Sequence, residues 1–285
     1  MPISFNAETI PGQHVIDYRV RDSHKNNPTR RVEVLATPEE IQFFVDNGYL
    51  VRPGLLPLNE VEKLRAALDE CLAKDEHIER GGQKSFGGIF LRHLADKHEA
   101  FLDLIDFQPV TSVARALFGP MIQQRGFTAR VCFPDDPHQE VEWHFHQRLI
   151  PDPLPPLMPR PQTVDALLYL DDVTELNGPL CVIPGSHNWT NADLPREDLS
   201  DKENQIVLTL PAGSVVLVSG STWHRALPTQ SGGGMRRLII MGYGPAWQKP
   251  SVYGVKPKKG LTQQLLDDPN TPEEVKELLG AGGYM

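Results

Sequence analysis

Two short stretches, Trp143-His144-Phe145-His146 and Ser221-Thr222-Trp223-His224, hold the side chains best suited to chemistry. In an extended strand alternate side chains share a face, so His144 and His146 present two imidazoles together. A third imidazole, His224, arriving from a distant strand closes a three-ligand face on a metal. Such a face leaves coordination positions open, as a catalytic metal needs and a structural one does not. His-x-His alone is a common accident, so the weight rests on its surroundings. His187 sits in a Pro-Gly-Ser-His turn and is assigned to structural hydrogen bonding. His14, His24, His77, His93, His98 and His138 fall outside these motifs and are assigned to surface or packing.

The elements that must position these histidines change character along the chain. Residues 1–36 are polar and weakly patterned and are expected to form an N-terminal surface arm. Thr37-Pro38-Glu39-Glu40 reads as an N-cap, a proline in the first turn and a capping box, and Asn47-Gly48 ends that helix. Residues 49–51 suggest a brief strand. Residues 58–74 form the clearest amphipathic helix, with Val61, Leu64, Leu68 and Leu72 on one face. The glycine-rich segment 80–88, with Lys84 and Ser85, lacks P-loop spacing and is expected to be a plain loop. Helical patterns follow at 94–105 and 109–118. From residue 122 strand-like runs recur at 127–133, 141–146, 164–170, 180–183, 206–210, 214–218 and 238–243, separated by Pro, Asp, Asn and Gly turns. A closing helix is expected from Thr271-Pro272-Glu273-Glu274 to Gly280. Helices followed by short strands predict a mainly β fold, a sandwich or barrel with helices outside. The expected domains are an arm, 1–36, and one catalytic domain, 37–285. The latter divides into a helical layer at 37–120, a β core at 121–247 and a helical tail at 248–285.

Composition narrows the partners. A net charge of −9 argues against nucleic acid or an anionic membrane surface, both of which select basic faces. No run approaches the ~18 apolar residues of a membrane span, and the N-terminal stretch lacks the pattern of a secretory signal. Cys71, Cys132 and Cys181 are odd in number and scattered, as expected for reduced thiols of a cytoplasmic protein. Nothing in the sequence fixes an oligomeric state.

Residues 164–187, with Leu170-Asp171-Asp172, Asn177-Gly178-Pro179-Leu180 and Pro184-Gly185-Ser186-His187, follow the Trp-His motif and precede Gly213-Ser214-Val215-Val216, His224 and Arg236-Arg237-Leu238. In this order the motifs resemble the phytanoyl-CoA dioxygenase family of Fe(II)/2-oxoglutarate-dependent oxygenases, over roughly residues 37–247. The resemblance implies a double-stranded β-helix, the cupin-like jelly roll, with iron in the barrel mouth and 2-oxoglutarate and O2 as co-substrates. It implies that His144, His146 and His224 take the metal positions and that an arginine anchors the far carboxylate of 2-oxoglutarate. Arginine suits that role because its fork is always charged and bidentate. Arg236 lies twelve residues after His224, near the family spacing. Arg237 points to the opposite face of the strand, so alternation forces a choice, and Arg236 is preferred. Thr128, Arg130 and Tyr169 are candidates for further co-substrate contacts.

The chain departs from the family at one ligand: the usual aspartate is His146. Family variants lacking the carboxylate carry a small residue and bind chloride, whereas His146 fills the position, so no halogenase is expected. Three neutral imidazoles leave a divalent metal one positive charge higher than two imidazoles and a carboxylate. Glu142 and Glu140 share the parity of His144 and His146 and offer a carboxylate nearby. Three alternatives therefore stay open beside the 2-oxoglutarate oxygenase: a three-histidine dioxygenase acting on a chelating substrate, a zinc enzyme activating water, and a catalytically silent barrel. Asp171-Asp172 are assigned to turn formation. The proline-rich segment 148–162, carrying Leu149, Ile150, Leu154, Leu157, Met158, Arg148 and Arg160, is expected to wall the site, which implies a small-molecule substrate with an apolar part. The acidic segment 188–204 is expected to be solvated.

Overall fold

The computed structural model describes residues 3–21, 24, 26–74, 79–80, 87–134, 139–146, 162–189, 198–249 and 260–282. Residues 81–86 of the glycine-rich segment, 148–161 of the proline-rich segment and 190–197 of the acidic segment lie outside them, as do His77 and His138.

Helix α1, Pro38–Asn47, begins with a full capping box: Thr37 Oγ1 accepts from the Glu40 amide, and the Glu40 carboxylate accepts from the Thr37 amide. It ends at Gly48, whose φ of 78° is left-handed and suits glycine. Strand β3, Tyr49–Arg52, leads to α2, Leu58–Lys74, which buries Val61, Leu64, Ala67, Leu68 and Cys71 along one stripe. Each of the valine and leucine side chains contributes about 1.5–3 kcal/mol by leaving water. After β4, Glu79–Arg80, and β5, Ile89–Arg92, comes α3, Gln108–Phe118.

The remaining chain builds two facing sheets. The larger runs β3-β11-β8-β13-β6-β5-β4, where β6 is Ile122–Cys132, β8 Val164–Tyr169, β11 Val215–Ser219 and β13 Arg236–Pro245. The smaller runs β10-β9-β12-β7, where β7 is Val141–His144, β9 Leu180–Val182, β10 Ile206–Leu208 and β12 His224–Ala226. This is the double-stranded β-helix. Antiparallel register sorts its residues into two sets, since directly opposed residues share a face. Ile239, Met241 and Tyr243 of β13, with Ala129 and Val131 of β6, face the helices and join their core. Leu238, Leu167, Tyr169, Val216 and Val218 meet Leu180 and Val182 of the smaller sheet in the barrel interior.

Several elements differ from the sequence expectation. The expected surface arm contains a hairpin, β1 His14–Arg19 and β2 Thr29–Val34, and buries Val32, Val34 and Ala36 against the helical layer. Charges alternating with two valines conceal a strand with one buried face. Residues 94–105 form two 3-10 turns instead of a helix, because His98 is extended and its Nδ1 accepts from the Ala100 amide, interrupting the pattern. Helix α4, Leu261–Asp267, falls within the expected helical tail at 248–285 though no start signal marks it in the sequence, and α5, Glu273–Leu278, starts from Pro272 without the anticipated side-chain cap from Thr271.

Arg52 is 1% exposed. It pairs with Glu40 at 3.0 Å and donates to the Leu35 carbonyl. Glu40 therefore caps α1 and neutralises a guanidinium that burial otherwise disfavours. Glu40→Ala is expected to lower stability by about 3–5 kcal/mol through the stranded buried charge. Urea denaturation should show this as a shifted midpoint with an unchanged slope.

Candidate functional site: three imidazoles and two buried arginines

Strand β12 lies between β7 and β9, and His224 is directly opposed to His144 on one side and Val182 on the other. The residues alternating with these histidines fix which way they point. Trp143, Phe145, Trp223, Cys181 and Ile183 form a separate apolar cluster on the outer face of the small sheet. Phe145 and Trp223 meet edge to face at 4.8 Å, and the Arg225 guanidinium lies over the Trp143 ring at 5.1 Å. Trp143 also donates from its indole to the Ser200 carbonyl, and Arg225 pairs with Asp201. The acidic segment from Asp198 to Gln205 thus clamps the outer face of this sheet, a correction to the expectation that it is merely solvated. With the aromatic rings buried outside, the alternate histidines are driven into the barrel.

The loop before β12 is pinned from two sides. Thr222 Oγ1 donates to the Gly48 carbonyl at 2.9 Å, and the Trp223 amide donates to Ser186 Oγ at 2.9 Å. His187 is bonded to the Val45 carbonyl at 2.7 Å and stands apart from the histidine group. A β-carbon on Gly48 would lie 2.1 Å from Thr222 Oγ1, so glycine is needed there for contact as well as conformation.

One ligand atom from each of His144, His146 and His224 lies within 4.8 Å of the others. Ring centroids are 4.2 Å apart for His144 and His224, 4.8 Å for His146 and His224, and 5.5 Å for His144 and His146. His144 Nδ1 faces the Glu142 carbonyl at 2.9 Å, and His224 Nδ1 faces the Thr222 carbonyl at 2.8 Å. A carbonyl only accepts, so both rings carry the proton on Nδ1 and keep the Nε2 lone pair free. His146 Nδ1 faces Asp165 Oδ2 at 2.6 Å with the same consequence. Burial, then the charges of His144 and His146, hold the His224 pKa well below its ordinary value, which keeps that ring neutral. Three imidazoles whose Nδ1 atoms are engaged by oxygen acceptors can turn their Nε2 atoms to a divalent metal. Glu142 contributes its carbonyl to the site, and neither Glu142 nor Glu140 belongs to the histidine group.

The large sheet supplies the opposing wall. Reading across it in register, Arg236 is opposed to Cys132, Leu238 to Arg130 and Tyr169, Ile240 to Thr128 and Leu167, and Gly242 to Asp165. Arg236, Arg130, Thr128 and Tyr169 therefore share the interior face. Arg236 is buried, donates to Cys132 Sγ at 3.2 Å, and leaves its Nε without a hydrogen-bond partner among the described residues. Arg130 donates to the carbonyls of Gly87 and Gln139, with its Nε likewise unmatched. Burial pulls Arg130 down to about 10, with the like charge of Arg236 acting the same way, so it remains a cation at neutral pH. Burial pushes Tyr169 up to about 12 despite both arginines, so its hydroxyl stays protonated. Among the described residues neither guanidinium is ion-paired to a carboxylate. Glu140 gives Arg130 a favourable charge without a direct ion pair, and two guanidiniums buried side by side remain costly unless an anion joins them.

Arg237 has a different environment. It faces the helices, where it pairs with Asp69 of α2 and with Asp171, which also accepts from the Arg237 amide. Asp172 accepts from the Ala212 amide, so both aspartates secure turns. Two residues were not singled out from sequence. Gly178, at φ +79°, gives room to Arg236: a β-carbon there would lie 2.8 Å from its guanidinium nitrogen. Its signal, Asn-Gly-Pro, reads only as a turn. Asp165 was hidden within an apolar strand, where an acid at inward parity was the available clue.

Comparisons with known proteins agree with this architecture. The dioxygenase af480 of Aspergillus fumigatus is 23% identical over 253 residues, covering 84% of this chain and 76% of that protein. The L-proline trans-4-hydroxylase of Streptomyces griseoviridis is 27% identical over 143 residues, covering 50% of this chain and 52% of that protein. The crystal structure of HygX from Streptomyces hygroscopicus, with nickel, 2-oxoglutarate and hygromycin B bound, superposes with a TM-score of 0.61 at 21% identity, covering 75% of this chain and 89% of that one. The sequence model of the phytanoyl-CoA dioxygenase family matches residues 44–238, a span that holds the three histidines, the intervening motifs and the start of β13, and the chain belongs to this family.

Proposed function

We propose that this chain is a non-haem Fe(II)/2-oxoglutarate-dependent dioxygenase that hydroxylates a small organic molecule. The observation that carries this reading is the pairing of two sites on one barrel interior: three converging imidazoles, and two buried guanidiniums that could receive a carboxylate. His144, His146 and His224 would hold iron through Nε2. When bound, iron with 2-oxoglutarate and O2 supplies oxidative decarboxylation, yielding succinate and CO2 and inserting one oxygen atom into the substrate.

The chain's own residues bind, orient and exclude water. Arg236 takes the far carboxylate of 2-oxoglutarate, because it alone of the arginine pair at 236 and 237 faces the interior. Arg130 adds a second positive charge, and Tyr169 a neutral hydroxyl. Thr128 lines the next row toward the histidines. Leu167, Leu238, Val216 and Val182 dry the cavity and strengthen every charge interaction in it. That the substrate is a small molecule is supported by relatives such as the proline hydroxylase and by HygX, which holds hygromycin B. An apolar part to the substrate rests on the composition of residues 148–162. No helix among the described residues is long and apolar enough to cross a membrane.

Anaerobic titration of the Fe(II)-loaded protein with 2-oxoglutarate should produce a visible metal-to-ligand charge-transfer band. Arg236→Met should weaken 2-oxoglutarate binding by about 2–5 kcal/mol, roughly 30- to several-thousand-fold. Arg237→Met should leave that affinity unchanged and cost about 1 kcal/mol of stability through its lost ion pairs. Iron binding without any band would defeat the 2-oxoglutarate assignment and favour the direct three-histidine dioxygenase.

His224→Ala removes the buried central ligand. Equilibrium dialysis with Co(II) should show its affinity falling by more than about 100-fold, beyond the range seen for outer-shell substitutions. Near-native Co(II) affinity in that variant would rule out His224 as a ligand.

A further inference from the structure

We infer that Asp165 is a positioning residue that supplies, from outside the coordination sphere, the negative charge that His146 does not supply as a ligand. This rests on the metal-centre reading above and concerns a residue outside the histidine triad. His146 Nδ1 lies 2.6 Å from Asp165 Oδ2, a short charge-assisted hydrogen bond. His144 and His224 present their Nδ1 atoms to backbone carbonyls, whereas His146 presents Nδ1 to an ionisable group. Asp165 stands on the interior face of β8, opposed to Gly242 on one side and Val218 on the other. A β-carbon at Gly242 would lie 2.7 Å from Asp165 Oδ1, so the facing strand is cut away where the carboxylate sits.

The consequence is twofold. The carboxylate fixes His146 with its proton on Nδ1 and Nε2 directed at the metal position. It also polarises the ring, so that the imidazole donates as a more anionic ligand. A three-histidine centre thereby regains much of the charge that a ligating aspartate would bring. His146 is the most exposed of the three histidines, and Asp165 is the group that stops its ring from turning away.

The test separates orientation from charge. Asp165→Asn can still accept from Nδ1 but carries no charge, whereas Asp165→Ala loses both. Co(II) affinity, measured by dialysis without co-substrate, should fall about 10-fold in the first and toward 100-fold in the second. The charge-transfer band of the Fe(II)–2-oxoglutarate complex should move to higher energy in Asp165→Asn, because the metal loses electron density. If Asp165→Ala fails to fold, Gly242→Ala, which crowds the carboxylate from the neighbouring strand, should reproduce the weaker metal binding. Variants that fold, bind Co(II) within twofold of the native chain and leave the band in place would overturn the role of Asp165. A native chain that binds no Co(II) or Fe(II) would instead overturn the metal centre itself.

Discussion

Everything chemical in this barrel depends on one antiparallel contact, the opposition of His144 and His224 across β7 and β12. Two imidazoles held ring to ring at 4.2 Å in a dry interior repel when both are charged, and burial penalises the charged form again. The fold accepts this because the same register buries Trp143 and Trp223 on the other face, where about 1.5–3 kcal/mol per large apolar group is recovered. The tryptophan preceding each histidine is thus the counterweight that turns the histidine inward. A one-residue slip of β12 would reverse both, so the register is defended by apolar burial and by the Thr222 and Ser186 hydrogen bonds that pin its approach.

The same alternation explains how much was legible in the sequence. The convergence of His144, His146 and His224 was readable because their spacing and tryptophan neighbours coincide with a strand period, while parity put Arg236 and Arg237 on opposite faces and the family spacing favoured Arg236. The β11 and β13 cores were visible as apolar runs. What was not legible is what alternation does not encode. Strand β12 is three residues long, too short for a pattern, and its existence follows only from pairing on both sides. The hairpin at β1 and β2 presents arginines and glutamate on one face, and its buried valines gain meaning only once α3 lies against them. Gly178 looked like turn chemistry because its contact with Arg236 is tertiary.

Asp165 illustrates the limit most sharply. Sequence reasoning sought a carboxylate near His146 in the chain and offered Glu142 and Glu140, whereas the carboxylate comes from β8, which pairs with β11 and β13 and not with β7 at all. Facing sheets bring together residues whose separation in sequence carries no information, and only the interior parity of β8 hinted at it.

Charge placement within the barrel follows from these contacts. The rows nearest Arg236 carry positive charge, from Arg236 itself and Arg130, while the row at Gly242 carries the Asp165 carboxylate against His146. A dicarboxylate entering this interior is drawn by one end toward the guanidiniums and repelled at the other by Asp165, unless a divalent ion stands between. An ion held by the three histidines would offset the Asp165 charge at that end, as the nearby Arg125 does in part. With an aspartate bound directly to the metal, the ion itself would screen that charge. With Asp165 on β8 rather than in the ligand position, the carboxylate reaches the site through the His146 ring, so its charge acts across one hydrogen bond and within the same dry interior.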